Sequence, residues 1–223
     1  MLKLDLHLHS EYSGDGMGSL EEIIKILKKK GLDGMAITDH NNIEGSLKAL
    51  KIAPKDFIVI PGVEISTSDG HIIALNVRET VQRELSVEET VEKILDLGGI
   101  PIVPHLYRNM SGINKDNLMK IRSKVSVIEV FNSCSVPLTN LKIAKLAKEL
   151  TLGGTGGSDS HDPKYVGWGY TTIDTTDFNV DSILSEINKH KTWGEGETLP
   201  LSYRRDRMLY SIKQYFQRGF KRI

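Results

Sequence analysis

Short apolar runs alternate with amphipathic stretches along most of this chain, and that alternation constrains the fold more than any other feature. Residues 2–8, 34–38, 57–61, 100–104, 125–131, 153–158 and 170–173 have the length and composition of strands. Between the first two, "SLEEIIKILKKKG" (19–31) has a capping serine, Ser19, with Glu22 three residues on. Its apolar stripe is Leu20, Ile23, Ile24 and Leu27, and a glycine closes it. "SVEETVEKILDLGG" (86–99) repeats the device with Ser86 and Glu89. Further helices are expected from a cap at Asn41 or Asn42 to about residue 53, at about 137–150 and near 180–190. Residues 63–77 form a hairpin pattern that turns at Asp69-Gly70. Repeated strand–helix units with short apolar strands imply a parallel sheet. About seven such units in one small domain favour a closed or nearly closed barrel, with an open doubly wound sheet as the alternative.

At 223 residues the chain fits one domain, or one domain with an appendage. Zero net charge gives no sign of a nucleic-acid binder. The single cysteine, Cys134, allows no intrachain disulfide and fits a reducing compartment. Lys3, Asp5, His7 and His9 interrupt any signal-peptide pattern, and no apolar run is long enough to cross a bilayer, so a cytoplasmic protein is expected. The charge is unevenly placed: residues 202–223 carry seven Lys or Arg and one acid, against 22 basic and 28 acidic residues before them. "GEGETLP" (194–200) has linker composition, which puts a boundary near residue 201.

Six of the seven histidines fall at strand ends or just after strands: His7, His9, His40, His71, His105 and His161. Asp5, Asp15, Asp39, Glu64 and Asp159 accompany them, while His190 sits in a polar helical stretch expected at the surface. In parallel strand–helix folds the C-terminal strand ends share one face, where loops build the site. His7 and His9, two apart on a strand, project to one side and can grip one ion, with Asp5 deeper on that side. Asp159 and His161 share a face in the same way if "GGSDSHD" is extended. Glu64 ends a strand and could bridge two ions. Imidazole with carboxylate suits zinc, manganese or iron, and no thiolate cluster competes.

"DLHLHSEYSGDG", "AITDHNNIEG", "PGVEIS", "HIIAL", "PH" and "GGSDSH", in that order from residue 5 to 161, resemble the PHP (polymerase and histidinol phosphatase) superfamily. The resemblance covers most of residues 1–201. It implies a distorted (β/α)7 barrel over 1–201 with a trinuclear metal site at the C-terminal strand ends, and hydrolysis of a phosphoester by a metal-bound hydroxide. Carried over by motif, His7, His9, Glu64 and Asp159 would hold the first of three divalent ions (manganese, zinc or iron). Glu64 would bridge to a second held by His71 and His105, and Asp15, His40 and His161 would hold a third. Glu64, Asp159 and His161 are the candidate catalytic residues. Asp15 stands where histidinol phosphatases of the superfamily usually have histidine. It brings the chain nearer the stand-alone group that includes nucleotide phosphoesterases and 5′-to-3′ exoribonucleases. The expected substrate is a nucleotide, a 5′-phosphorylated oligonucleotide or a small phosphomonoester. The alternatives are a histidinol-phosphate-type phosphatase, a non-catalytic PHP module and an amidohydrolase-like C–N hydrolase.

Around this set, Asp5 and Asp39 are candidates to orient imidazoles, and Arg108 and Asn132 to contact substrate phosphate. Ser158 and Ser160 have the setting of turn formers, Cys134 that of a small buried thiol, and Trp168 that of a core residue or a base-stacking platform. In the tail, Leu209, Ile212, Phe216 and Phe220 form one helical stripe opposed by basic residues. The stripe favours a helix (202–223) docked on the acidic body or on a second copy of the chain, giving a homo-oligomer. A basic arm for nucleic acid and a membrane-surface helix are the other readings, although no membrane partner is expected of the body.

Overall fold

The computed structural model describes residues 1–217 and Gly219, without the side chains of Ser211, Gln214 and Tyr215. Phe220, one member of the tail stripe, lies outside the described residues. The first half of the chain runs β1 (Leu2–Leu8), α1 (Leu20–Lys29), β2 (Gly34–Ile37), α2 (Glu44–Ile52), β3 (Ile58–Val59), β4 (Gly62–Thr67), β5 (Gly70–Leu75) and α3 (Val87–Asp96). The second half adds β6 (Ile100–Val103), α4 (Lys115–Ile121), β7 (Val127–Asn132), α5 (Pro137–Glu149), β8 (Gly153–Gly157), β9 (Gly169–Ile173), α6 (Val180–Asn188), β10 (Thr192–Gly196) and α7 (Leu201–Gln217).

The helices begin where their caps dictate. Ser19 Oγ accepts from the Glu22 N–H at the start of α1, and α3 completes the reciprocal box between Ser86 and Glu89. Asn42 Oδ1 accepts from the first N–H of α2, at Glu44. The stripe of α1, Leu20, Ile23, Ile24 and Leu27, is buried against Leu8, Met35 and Ile37. "GEGETLP" is not all linker: its first three residues finish β10, whose Thr192–Gly196 span pairs antiparallel with β9.

The strands form two five-stranded mixed sheets, β10-β9-β1-β2-β3 and β4-β5-β6-β7-β8. Parallel pairing holds for β1–β2, β2–β3, β6–β7 and β7–β8, while β1–β9, β9–β10, β4–β5 and β5–β6 are antiparallel. The expected barrel is therefore not one continuous ladder. The sheets meet through two isolated bridges, Leu8↔Ser160 and His40↔Glu64. The physical reason lies in β8, "GGTGG". Its free edge is met by threonine side chains rather than by a strand. Thr171 Oγ1 accepts from Gly156 N–H at 2.9 Å and donates to Gly156 O, and Thr192 Oγ1 donates to Gly154 O. The missing side chains let this strand lie close to its neighbours: a Cβ on Gly157 would stand 2.3 Å from His7 Cβ. Both bridges sit at the end of the sheets where the histidines gather.

A candidate metal centre at the meeting of two sheets

All nine side chains singled out as ligands converge at that junction. β1 presents His7 between the buried Leu6 and Leu8, and His9 follows its last residue. Glu64, on β4, is at the middle: His71 Nδ1 and His105 Nε2 lie 2.9 Å from its Oε1. His40 Nδ1, His9 Nε2 and His7 Nε2 lie 3.1, 3.4 and 3.5 Å from its Oε2. Asp159 Oδ1 is 3.5 Å from both His7 and His9, and Asp15 Oδ2 is 3.0 Å from His161 and 4.0 Å from His40. The ligand-type atoms fall into overlapping groups compact enough to hold an ion: His7–His9–Glu64, His7–His105–Asp159, His40–Glu64–His71 and His9–His40–His161.

His71 and His105 hydrogen-bond Glu64 Oε1, but much of the donor set is left over. Buried and without a hydrogen-bond partner among the described residues are His7 Nε2, both ring nitrogens of His9, His40 Nδ1, Glu64 Oε2, His105 Nδ1 and His161 Nε2. A buried polar atom left unbonded costs about 1–3 kcal/mol, and so many around one point fit divalent cations between them. The donor set, imidazole with three carboxylates, is that of zinc, manganese or iron. The electrostatics agree. Burial would lower the His7 imidazole, but Asp159, Glu129 and Glu64 hold it well above its usual value, so a cation there would displace its proton. Burial and the nearby His161 bring His9 down to about 4, in the neutral form that ligation needs. Burial would raise Glu64, yet the surrounding histidines keep it well below the usual carboxylate range.

The loops bend sharply to aim these groups. His105 and Asp159 have φ of +30° and +50°, and Asn41, next to His40, +53°. Such backbone is uncommon for non-glycine residues and collects at functional sites. Asp159 therefore does not share an extended face with His161, and the pair meets by a turn instead. Ser160 Oγ donates to Asp162 O at 2.7 Å within that turn.

Asp5 and Asp39 do not orient imidazoles. Asp5 accepts from the backbone N–H groups of Ser158, Gly167 and His7. Asp39 accepts from Ser10 N–H at 2.6 Å and Ser10 Oγ–H at 2.7 Å. Burial raises each of these carboxyls to about 6. The orienting role falls to Glu129 on β7. One of its oxygens is 2.8 Å from His7 Nδ1, and the other accepts from His105 N–H and Asn132 Nδ2. A lone glutamate in the apolar run "VIEVF" was the available signal. Arg108 spreads its fork between Asp159 and Asn132, with Asn132 Oδ1 at 2.8 Å. Cys134 lies alongside, its Sγ 3.3 Å from Asp159 O, and burial pushes the thiol up. Trp168 packs edge-on to Tyr165 at 5.4 Å between ring centroids, and His190 is exposed.

Comparison with known proteins places this centre. An uncharacterized protein of Methanocaldococcus jannaschii is 38% identical over 162 residues, covering 67% of this chain and 94% of its own. A 5′-3′ exoribonuclease of Haemophilus influenzae is 40% identical over 84 residues, 35% of this chain and 30% of the enzyme. Among solved structures, a two-domain Bacteroides vulgatus protein containing a predicted PHP-like metal-dependent phosphoesterase superposes with a TM-score of 0.75 at 17% identity. The match covers 88% of this chain and 65% of that one, a likeness of fold. The PHP domain model matches residues 5–151 and the PHP-associated model residues 137–192. The first match takes in seven of the nine converging side chains, His7 to His105, and the second takes in Asp159 and His161; the chain belongs to the PHP domain family.

Proposed function

We propose that the chain is a metal-dependent phosphoesterase. His7, His9, Asp15, His40, Glu64, His71, His105, Asp159 and His161 hold three divalent cations, of manganese, zinc or iron. The observation that carries this reading is the set of buried, unbonded nitrogen and oxygen atoms that face one another across the centre. When bound there, such cations supply Lewis acidity and lower the pKa of water from about 15.7 to about 7. Asp15, Glu64 and Asp159 offset only part of the cations' charge, so the site keeps a positive field for a phosphate.

The residues then divide the work. Glu64 spans two ion subsites, as its two oxygens already serve different histidines. Asp159 and His161 complete the first and third subsites and position the reacting group. Glu129 fixes the ring of His7. Arg108 and Asn132 bind phosphate oxygen, their fork set on the rim beside Asp159. The two sheets are read as the halves of a distorted, unclosed (β/α)7 barrel over about residues 1–201, followed by α7 as an appended helix. The substrate is a nucleotide, a 5′-phosphorylated oligonucleotide or a small phosphomonoester. The resemblance to the Haemophilus exoribonuclease over a third of the chain supports the nucleotide side of that range. The single cysteine fits a cytoplasmic setting.

Two measurements test this reading. Elemental analysis after reconstitution with manganese or zinc should find about three ions per chain, and a ceiling of one removes the trinuclear reading. A panel of phosphomonoesters, nucleotides, cyclic nucleotides and 5′-phosphorylated oligonucleotides, assayed with manganese beside an amide, should show phosphoester cleavage alone. Amide cleavage without phosphoester cleavage would overturn it.

A further inference from the structure

Helix α7 brings a second group of polar side chains to the centre, and none of them is a candidate ligand. Arg207 reaches to 3.2 Å from Asp15 Oδ2, the oxygen that His161 also approaches at 3.0 Å. Its side chain is 18% exposed, whereas that of Arg205 is 67% exposed and pairs with the adjacent Asp206. One turn before Arg207, the ring of Tyr203 packs on Tyr165 at 4.2 Å between centroids. The Tyr203 hydroxyl is buried and has no hydrogen-bond partner among the described residues. Positions 203 and 207 are four apart and share one helix face. That face is held down by Arg204, which donates to Ser135 O at 3.1 Å, and by the buried Leu199, whose N–H donates to Ser133 O.

The apolar stripe expected to dock does not do so on this chain. Leu209, Ile212 and Phe216 are 55%, 43% and 59% exposed. The helix instead turns its tyrosine and arginine inward. A buried hydroxyl without a partner and an arginine immobilised on a ligand carboxylate each cost free energy, unless a bound group uses them. Arg108 stands on Asp159 and Arg207 on Asp15, with Cys134 within the field of both. Cations on those two carboxylates would take over their charge. Both guanidinium forks would then face the anion that the cations attract.

We propose that α7 is part of the substrate site, with Tyr203 Oη–H and Arg207 binding phosphoryl oxygens opposite Arg108. The inference rests on the phosphoesterase reading and narrows it. Two guanidiniums and a hydroxyl donor match the three non-bridging oxygens of a terminal phosphate better than the two of a diester, so the substrate class is a phosphomonoester.

Inorganic phosphate is the probe. Titrated calorimetrically into the manganese-loaded full chain, it should bind the unaltered protein. Arg207→Ala and Tyr203→Phe should each weaken it about tenfold, as loss of a charged or buried hydrogen bond does. Arg207→Lys should recover part of the loss, and Arg205→Ala should bind as the unaltered chain does. Ion content should stay constant across the series. With a phosphomonoester substrate, Arg207→Ala should raise KM more than it lowers kcat. Unchanged phosphate affinity in Arg207→Ala, or loss of ions from that variant, would overturn the proposal. An unaltered chain that binds phosphate through Arg207 yet cleaves no phosphoester would uphold the anion site and count against the phosphoesterase reading instead.

Discussion

Two pairs of candidate ligands have the same spacing and reach the same centre over different backbones. His7 lies on β1 and His9 directly follows its last residue, Leu8, so the pleat carried one residue past the strand puts both on one side. Asp159 and His161 follow β8, where the positive φ of Asp159 breaks the pleat between them. The second pair is held by the first strand. Asp159 N–H donates to His7 O at 2.7 Å, and His9 N–H donates to Ser160 O at 2.9 Å. An i, i+2 pattern is thus a local property in one case and a tertiary one in the other, where β1 serves as the template. The first pair should survive changes to the second more readily than the reverse.

The largest effect is expected at Glu64, which stands against both histidines of the first pair. Glu64→Gln should lower phosphoester turnover about 10³-fold or more, because two ion subsites share it. Asp5→Asn should lower it less, since the hydrogen bonds that Asp5 accepts come from backbone N–H groups and Ser158, not from imidazoles. Near-normal turnover of Glu64→Gln would remove the bridge. The next effect tests the template directly. A Cβ at residue 157 would meet His7 Cβ at 2.3 Å and His7 N at 2.9 Å, atoms that no rotamer change can move aside. Gly157→Ala should therefore cost about 3 kcal/mol of stability, measured by denaturant titration, with ion binding weakened too. Gly14→Ala, with nothing within 4 Å of its added Cβ, is the control and should change little. An unchanged midpoint for Gly157→Ala would show that β8 need not lie so close to β1.

Glu129 separates the pairs in another way, since it bonds the His7 ring and the backbone of His105. Glu129→Gln should weaken ion affinity about 10- to 100-fold, read by competition with a chelating dye. Equal affinity would reduce Glu129 to a structural role.

How much of this was legible in the sequence follows the same division between local and tertiary. The alternation of β1, the caps of α1 and α3 and the hairpin of β4 and β5 are written within a few residues, and they were found. All nine converging side chains were also legible, because histidines at strand ends stand out against apolar runs. What escaped depends on distant partners. The strand near 170–173 was read, but not that β9 runs antiparallel to β1, and the edge strand β10 ends in residues with linker composition. Glu129 looked like an interruption of a core strand until His7 and His105 were placed beside it. Asp5 and Asp39 looked like partners for imidazoles, but the nearest donors proved to be backbone and serine groups. The tail shows the limit most plainly. Its stripe obeys helical periodicity, yet the face turned inward is the one with Tyr203 and Arg207, chosen by what lies opposite.

The smallest expected effect concerns a side chain that ties the second pair to β7 beside the direct bond from Asn132 Nδ2 to Asp159 Oδ2 at 3.1 Å. Arg108 gives one nitrogen to Asp159 and another to Asn132, so its planar fork spans the turn after β8 and the end of β7. A lysine keeps the charge but has a single ammonium, which cannot hold both partners in that geometry. Arg108→Lys should therefore lower kcat/KM about tenfold, the scale of one charged hydrogen bond, while His7 and His9, which Arg108 does not hold, keep their ions. Elemental analysis and steady-state kinetics on the same preparation separate the outcomes. A loss of ions equal to the loss of rate would mean that Arg108 supports the placement of Asp159 rather than the substrate. Unaltered kinetics in both Arg108→Lys and Arg108→Ala would mean that the turn after β8 is held by β1 and Asn132 without help from Arg108.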